Sequence, residues 1–155
     1  MKIFLALIST LVFSFASIAL AKTAKVDLVV TDGFVFLPLK GSNATAGYGI
    51  LRNQSSEKIT LSVVSAEGFK ATELHETVEE KGLMKMKKVE SFAIEPKGSF
   101  ELKPGGNHIM LFDALKELRD GETVSVTFQT NKGPVKVPFK LKPRTETPDP
   151  HAHHH

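Results

Sequence analysis

Apolar and polar residues alternate along most of this chain in short runs, and turn residues close nearly every run. Residues 26–30 are β-branched or apolar, and Asp32-Gly33 follows as a turn. Residues 34–37 form a second extended run, stopped at Pro38. Residues 41–47 are small and polar and read as a loop. Residues 48–52 and 59–65 read as a hairpin pair across Asn53-Gln54-Ser55-Ser56. Residues 69–75 are another strand, and residues 76–88 are the least regular and most charged stretch and read as a loop. Residues 89–94, 99–102 and 108–112 are extended, separated by Pro96-Lys97-Gly98 and Pro104-Gly105-Gly106-Asn107. Residues 113–119 are the one good helical candidate, ended by Asp120-Gly121. A last hairpin spans 122–130 and 135–141 about Asn131-Lys132-Gly133-Pro134. Period-two alternation bounded by Gly, Pro and Asn marks strands and hairpins. Many short strands with one helical turn predict an all-β sandwich or barrel in a single domain.

The two ends depart from this pattern. Residues 1–21 open with Lys2, and Ile3 to Ala21 carries no charge. Ala19-Leu20-Ala21 places small residues at −3 and −1, the pattern of a signal peptide cleaved after Ala21. The competing reading is an uncleaved anchor helix, since the run is nearly long enough to span a bilayer. Four Ser/Thr residues inside it favour cleavage, and no Cys follows it to receive a lipid. The expected outcome is an exported protein with no stable membrane insertion after cleavage. The domain then covers 22–142. Residues 143–155 are rich in Pro, Thr and His and lack packing side chains, so they read as a flexible tail.

Composition then removes whole classes of chemistry. The 155 residues contain no Cys and no Trp, but six His and four Met. Without Cys there is no disulfide framework, thiolate zinc site, iron–sulfur cluster, CxxC redox pair or cysteine nucleophile. A blue-copper site is excluded on the same ground. The net charge of +3 is too mild to argue for nucleic acid.

Position matters more than count. Between signal and tail the only His are His75 and His108, and the only Met are Met84, Met86 and Met110. All five fall within one stretch of the body, whereas core methionines are normally dispersed gap-fillers. His108 and Met110 are two apart in a strand and leave the same face. Met84 and Met86 are also two apart, in Lys81-Gly82-Leu83-Met84-Lys85-Met86-Lys87-Lys88, which is too polar for a core strand. Thioether sulfur is soft and neutral, and imidazole binds copper readily. Two of each suit Cu(I). Zinc prefers Cys, His and carboxylate, and calcium or magnesium prefers oxygen. Taken singly, each His is as well explained by hydrogen bonding, and each Met by packing.

The spacing His75-x10-Met86-x21-His108-x-Met110 resembles the signature of the PCuAC-type periplasmic copper chaperones. Glu73-Leu74-His75, Gly82-Leu83-Met84-Lys85-Met86 and Leu102-Lys103-Pro104-Gly105-Gly106-Asn107-His108-Ile109-Met110-Leu111 match its surrounding words. The resemblance covers about residues 26–141. It implies a cupredoxin-like Greek-key β-barrel that binds Cu(I) through His75, Met86, His108 and Met110. It also implies delivery of copper towards the CuA site of cytochrome c oxidase, with a Sco-type copper protein or the CuA subunit as partner. Met84 lies off the family spacing and is a neighbour or alternative ligand. Phe112-Asp113-Ala114-Leu115 departs from the small or Met-containing residues often found there. His151, His153, His154 and His155 form a second candidate site for Cu(II), since relatives sometimes carry His- or Met-rich extensions. An inert terminus or a cloning remnant explains these histidines equally well.

His75-Glu76-Thr77-Val78-Glu79 fails the HExxH pattern because its last residue is Glu79. No GxSxG or P-loop is present, and with both body histidines assigned to metal an enzyme is not expected. Lys81, Lys85, Lys87 and Lys88 either steer an acidic partner or form a solvated face. Periplasmic storage or detoxification, or a metal-free structural β-domain, are the alternatives to delivery.

Overall fold

A computed structural model describes residues 26–144. The signal segment and the tail histidines, His151, His153, His154 and His155, lie outside the described residues. Ten strands follow in chain order. They are β1 (Leu28–Phe36), β2 (Ala44–Asn53), β3 (Ile59–Ala66), β4 (Phe69–Glu80) and β5 (Leu83–Lys88), then β6 (Phe92–Ile94), β7 (Ser99–Leu102), β8 (His108–Ala114), β9 (Thr123–Thr130) and β10 (Gly133–Lys142). They join in the order β5-β4-β8-β2-β1-β10-β9-β3-β6, with β7 attached to β2. Among the described residues the fold is all-β, as the alternation predicts. The β1–β10 pair is parallel and the other pairs are antiparallel.

Strict alternation builds the core. Val124, Val126 and Phe128 of β9 point inward, as do Val137, Phe139 and Leu141 of β10, with Ser125, Thr127, Pro138 and Lys140 between them. Leu74 of β4 and Ile59 of β3 belong to one apolar cluster although their strands lie near opposite ends of the sheet order. The sheet therefore folds over on itself around that cluster.

Strand β2 is the hub. One edge pairs with β1, while β8 takes residues 44–47 and β7 takes residues 49–52 of the other. The β1 pairing is interrupted between Thr31 and Phe34. Asp32, at φ 52°, and Gly33 form a bulge there, opposite Gly49. A side chain on Gly49 would meet the Gly33 Cα at 2.8 Å. The expected turn at Asp32-Gly33 is thus a bulge that lets one strand run through.

Other local expectations also change. Residues 113–119 form no helix: Asp113 adopts φ 51° and donates its N–H to Asn43 O at 2.7 Å. Leu115 donates to Gly68 O at 2.9 Å, so these amides bond across the fold. One or two turns cannot outcompete such bonds, because helix nucleation is costly. Residues 48–52 and 59–65 are strands but not partners, because β3 pairs with β6 and β9 instead. Strand β2 begins at Ala44, inside the expected loop. The charged stretch 76–88 is a hairpin rather than a loop. Lys81 and Gly82, at φ 53° and 77°, make its two-residue turn. Lys85 and Lys87 both pair with Glu80 beside that turn.

Candidate metal centre

The site lies where β5, β4, β8 and β2 run side by side. Directly paired residues project from the same face of a sheet, and so do residues two apart. His75 pairs with His108, Glu73 with Met110, Thr77 with Met86, and Ala46 with Met110. Register alone therefore puts His75, Met86, His108 and Met110 on one face. The opposite face carries Leu74, Ile109 and Leu111 into the core.

Met86, His108 and Met110 line a cleft of about 220 Å³, together with Tyr48, Thr77, Gly105 and Arg144. His75 adjoins it, its ring centroid 5.7 Å from that of His108. Tyr48 closes the other side of His108, at 6.3 Å between rings. His108 retains only 3% exposure, whereas Met86 is 63% exposed. The site has a sheltered imidazole floor and an open rim at Met86.

Each imidazole is held by one nitrogen and left free at the other. His108 Nδ1 donates to Gly106 O at 2.9 Å. His75 Nε2 donates to Glu73 Oε2 at 2.8 Å, and Lys88 Nζ donates to Glu73 Oε1 at 2.7 Å. The remaining nitrogens, His108 Nε2 and His75 Nδ1, are buried without a hydrogen-bond partner. Anchoring one ring nitrogen fixes the tautomer and presents the other lone pair, the usual preparation of a ligating histidine. A buried unpaired polar atom otherwise carries a cost in stability.

Turn chemistry sets the His108 anchor. Gly105, at φ 72°, allows the tight reversal before β8, and Lys103 N–H bonds Asn107 O at 2.8 Å across it. Gly106 O also accepts Thr77 N–H at 3.1 Å. One carbonyl thereby ties the β8 turn, the β4 strand and the His108 ring together.

Electrostatics favour neutral imidazole here. Burial pushes the His108 pKa below its ordinary value, partly opposed by the Gly106 hydrogen bond and reinforced by nearby His75. The hydrogen bond from His75, then that from Lys88, hold the Glu73 carboxyl below its usual range. Burial raises the Tyr48 phenol, with Arg144 acting against it. Among the described residues no three His, Cys, Asp or Glu side chains gather as a metal site. The donors that the cleft places beside the imidazole pair include the thioethers of Met86 and Met110.

Met84 shares the strand face of Met86 but pairs with Glu79, farther towards the hairpin turn, and is not among the residues lining the cleft. Tyr48, Arg144 and Gly106 carry no sequence signal of their own. Glu73 had one: it lies two residues before His75 in a strand, hence on the same face.

The chain belongs to the LpqE-like lipoprotein family, whose model matches residues 28–141. A Leifsonia xyli subsp. xyli protein named as a lipoprotein, Lxx21020, is 35% identical over 104 residues, 64% of this chain. This chain spans 63% and 49% of the two curated relatives it matches. Its fold is similar to the apo PCuAC domain of PmoF1, at TM-score 0.61 and 23% identity, over 75% of this chain and 93% of that one. It is also similar to the Cu(I) form of DR1885 from Deinococcus radiodurans. There the TM-score is 0.62 and the identity 26%, over 81% of this chain and 86% of that one. The cupredoxin-like fold expected from the PCuAC resemblance is thus the fold of this chain.

Proposed function

We propose that this protein is a copper carrier that binds one Cu(I) through His75 Nδ1, Met86, His108 Nε2 and Met110. The observation that carries the reading is the pair of buried, unpartnered imidazole nitrogens on adjacent strands, beside two thioethers. All four donors are neutral, so Cu(I) keeps its charge, and soft donors favour it over zinc or calcium. The Cu(I)-loaded neighbour DR1885 supports the same cargo. The likeness to that Cu(I)-bound protein supports carriage rather than catalysis.

The wider role extends the same proposal. The protein is exported, with the signal cleaved after Ala21, and works in the periplasm. Its copper goes towards the CuA site of cytochrome c oxidase, through a Sco-type protein or the CuA subunit itself. The lipoprotein names of the family and of the Leifsonia relative support export. This sequence has no Cys to carry a lipid. The tail histidines His151, His153, His154 and His155 take Cu(II) at a separate site.

Anaerobic competition against a chromophoric Cu(I) chelator tests the core of this reading. One tight site is expected, retained without residues 151–155 and lost in His108→Ala. Tight binding that survives removal of both His108 and Met86 overturns it. Cu(II) titration with and without the tail tests the second site, and identical curves dismiss it.

A further inference from the structure

Met86 and Met84 stand in line, from the cleft towards the tip of the β4–β5 hairpin. Met86 faces Thr77 and Met84 faces Glu79, one sheet step nearer the Lys81-Gly82 turn. Both belong to the same face of β5, which is the end strand of the sheet. All six β5 residues are exposed, and Met84 is 61% exposed. Its side chain therefore contributes little to the core. Lys85, Lys87 and Lys88 on the same strand are each engaged by a carboxylate, as suits a charged sheet edge. The methionines have no such partner role.

The four cleft ligands differ sharply in access. His108 is sealed in, and the side chain of His75 is 14% exposed. Met110 is half-buried in β8 between its partners on β2 and β4. Of the four, Met86 is the one largely open to solvent, so the β5 side offers an approach for an incoming ligand.

We infer that Met84 is an exchange ligand: it takes up Cu(I) transiently beside Met86 as the metal passes between the cleft and a soft-donor acceptor. This rests on the Cu(I) reading of the cleft. In the step, the Met84 sulfur donates a lone pair to copper while a bond from a cleft ligand to copper breaks. Both ligands are neutral, so no proton moves and copper keeps its oxidation state. Met84 is then a kinetic residue and not one of the four that set the equilibrium.

The test compares wild-type full chain with Met84→Leu, a change of similar volume at an exposed position. Two quantities are read anaerobically: Cu(I) affinity by chelator competition, and the stopped-flow rate of Cu(I) transfer to a chromophoric chelator. Affinity is expected to hold within about twofold while the rate falls by about tenfold, a barrier increase of one weak ligand's assistance. An unchanged rate overturns the inference and leaves the cleft reading standing. Affinity lost as in Met86→Leu also overturns it, by making Met84 a resident ligand. A wild-type protein with no Cu(I) affinity overturns both readings together.

Discussion

His75 and His108 face each other across β4 and β8, rings 5.7 Å apart, and each keeps one buried nitrogen free because the other is spoken for. Their anchors differ in kind. A carboxylate, Glu73, holds His75, and a backbone carbonyl, that of Gly106, holds His108. A side-chain anchor can be mutated away, so the first contact is open to direct test.

Glu73→Ala frees the His75 ring to rotate and change tautomer. Cu(I) affinity is expected to fall by about tenfold, the lower end of what loss of a ligand's anchoring partner costs. Glu73→Gln keeps an acceptor and should lose less. Chelator competition on both variants measures the difference, and equal affinities in all three proteins remove Glu73 from the site.

The His108 shift has a sign. Burial lowers its pKa in the folded protein, so the unfolded chain takes up this proton first as pH falls. The corresponding stability is fully present above the unfolded value of about 6.5 and is lost as pH falls through the folded pKa. NMR titration of the metal-free protein should place the His108 midpoint below that of an unperturbed histidine. A midpoint above about 6.5 contradicts the desolvated site.

Asn53 is a structural control far along β2. It is 1% exposed, and its Nδ2 lies within reach of the carbonyls of Glu57, Ile94 and Glu95, at 2.7, 3.1 and 3.1 Å. Its Oδ1 accepts Ser55 N–H at 2.9 Å. Asn53→Ala leaves several buried groups unpaired and should cost about 2–3 kcal/mol in urea unfolding. Cu(I) affinity at a temperature where the variant is folded should be unchanged.

Gly49→Ala tests the bulge that carries Tyr48 past β1. Gly49 has φ 152°, and the added carbon would lie 2.8 Å from the Gly33 Cα. The tightest contact is with backbone, and the Gly33 N and Val30 Cγ2 both lie at 3.3 Å, so side-chain movement alone does not relieve it. Destabilisation by about 2 kcal/mol or more is expected from thermal melts.

Much of this molecule is readable from local pattern. Strands β7, β8, β9 and β10 follow from alternation and from the Pro104–Asn107 and Asn131–Gly133 turns, because their signals are local. The pairing of His108 with Met110 on one face needs only the two-residue period. Pairing partners were not readable: β2 and β3 look like a hairpin because they are consecutive, yet nonlocal burial sends them to different neighbours. Charge misled at 76–88, where Glu80 with Lys85 and Lys87 stabilises a hairpin that resembles a solvated loop in sequence. Tyr48 and Arg144 reach the cleft through sheet order, which no spacing in the chain encodes.

The central claim is a mixed imidazole–thioether copper site, and X-ray absorption of the Cu(I)-loaded protein reads its donors directly. The spectrum should show sulfur scatterers together with imidazole nitrogen, and the sulfur contribution should disappear in Met86→Leu/Met110→Leu. A wild-type spectrum with no sulfur, or a sulfur contribution that survives in the double variant, contradicts the account.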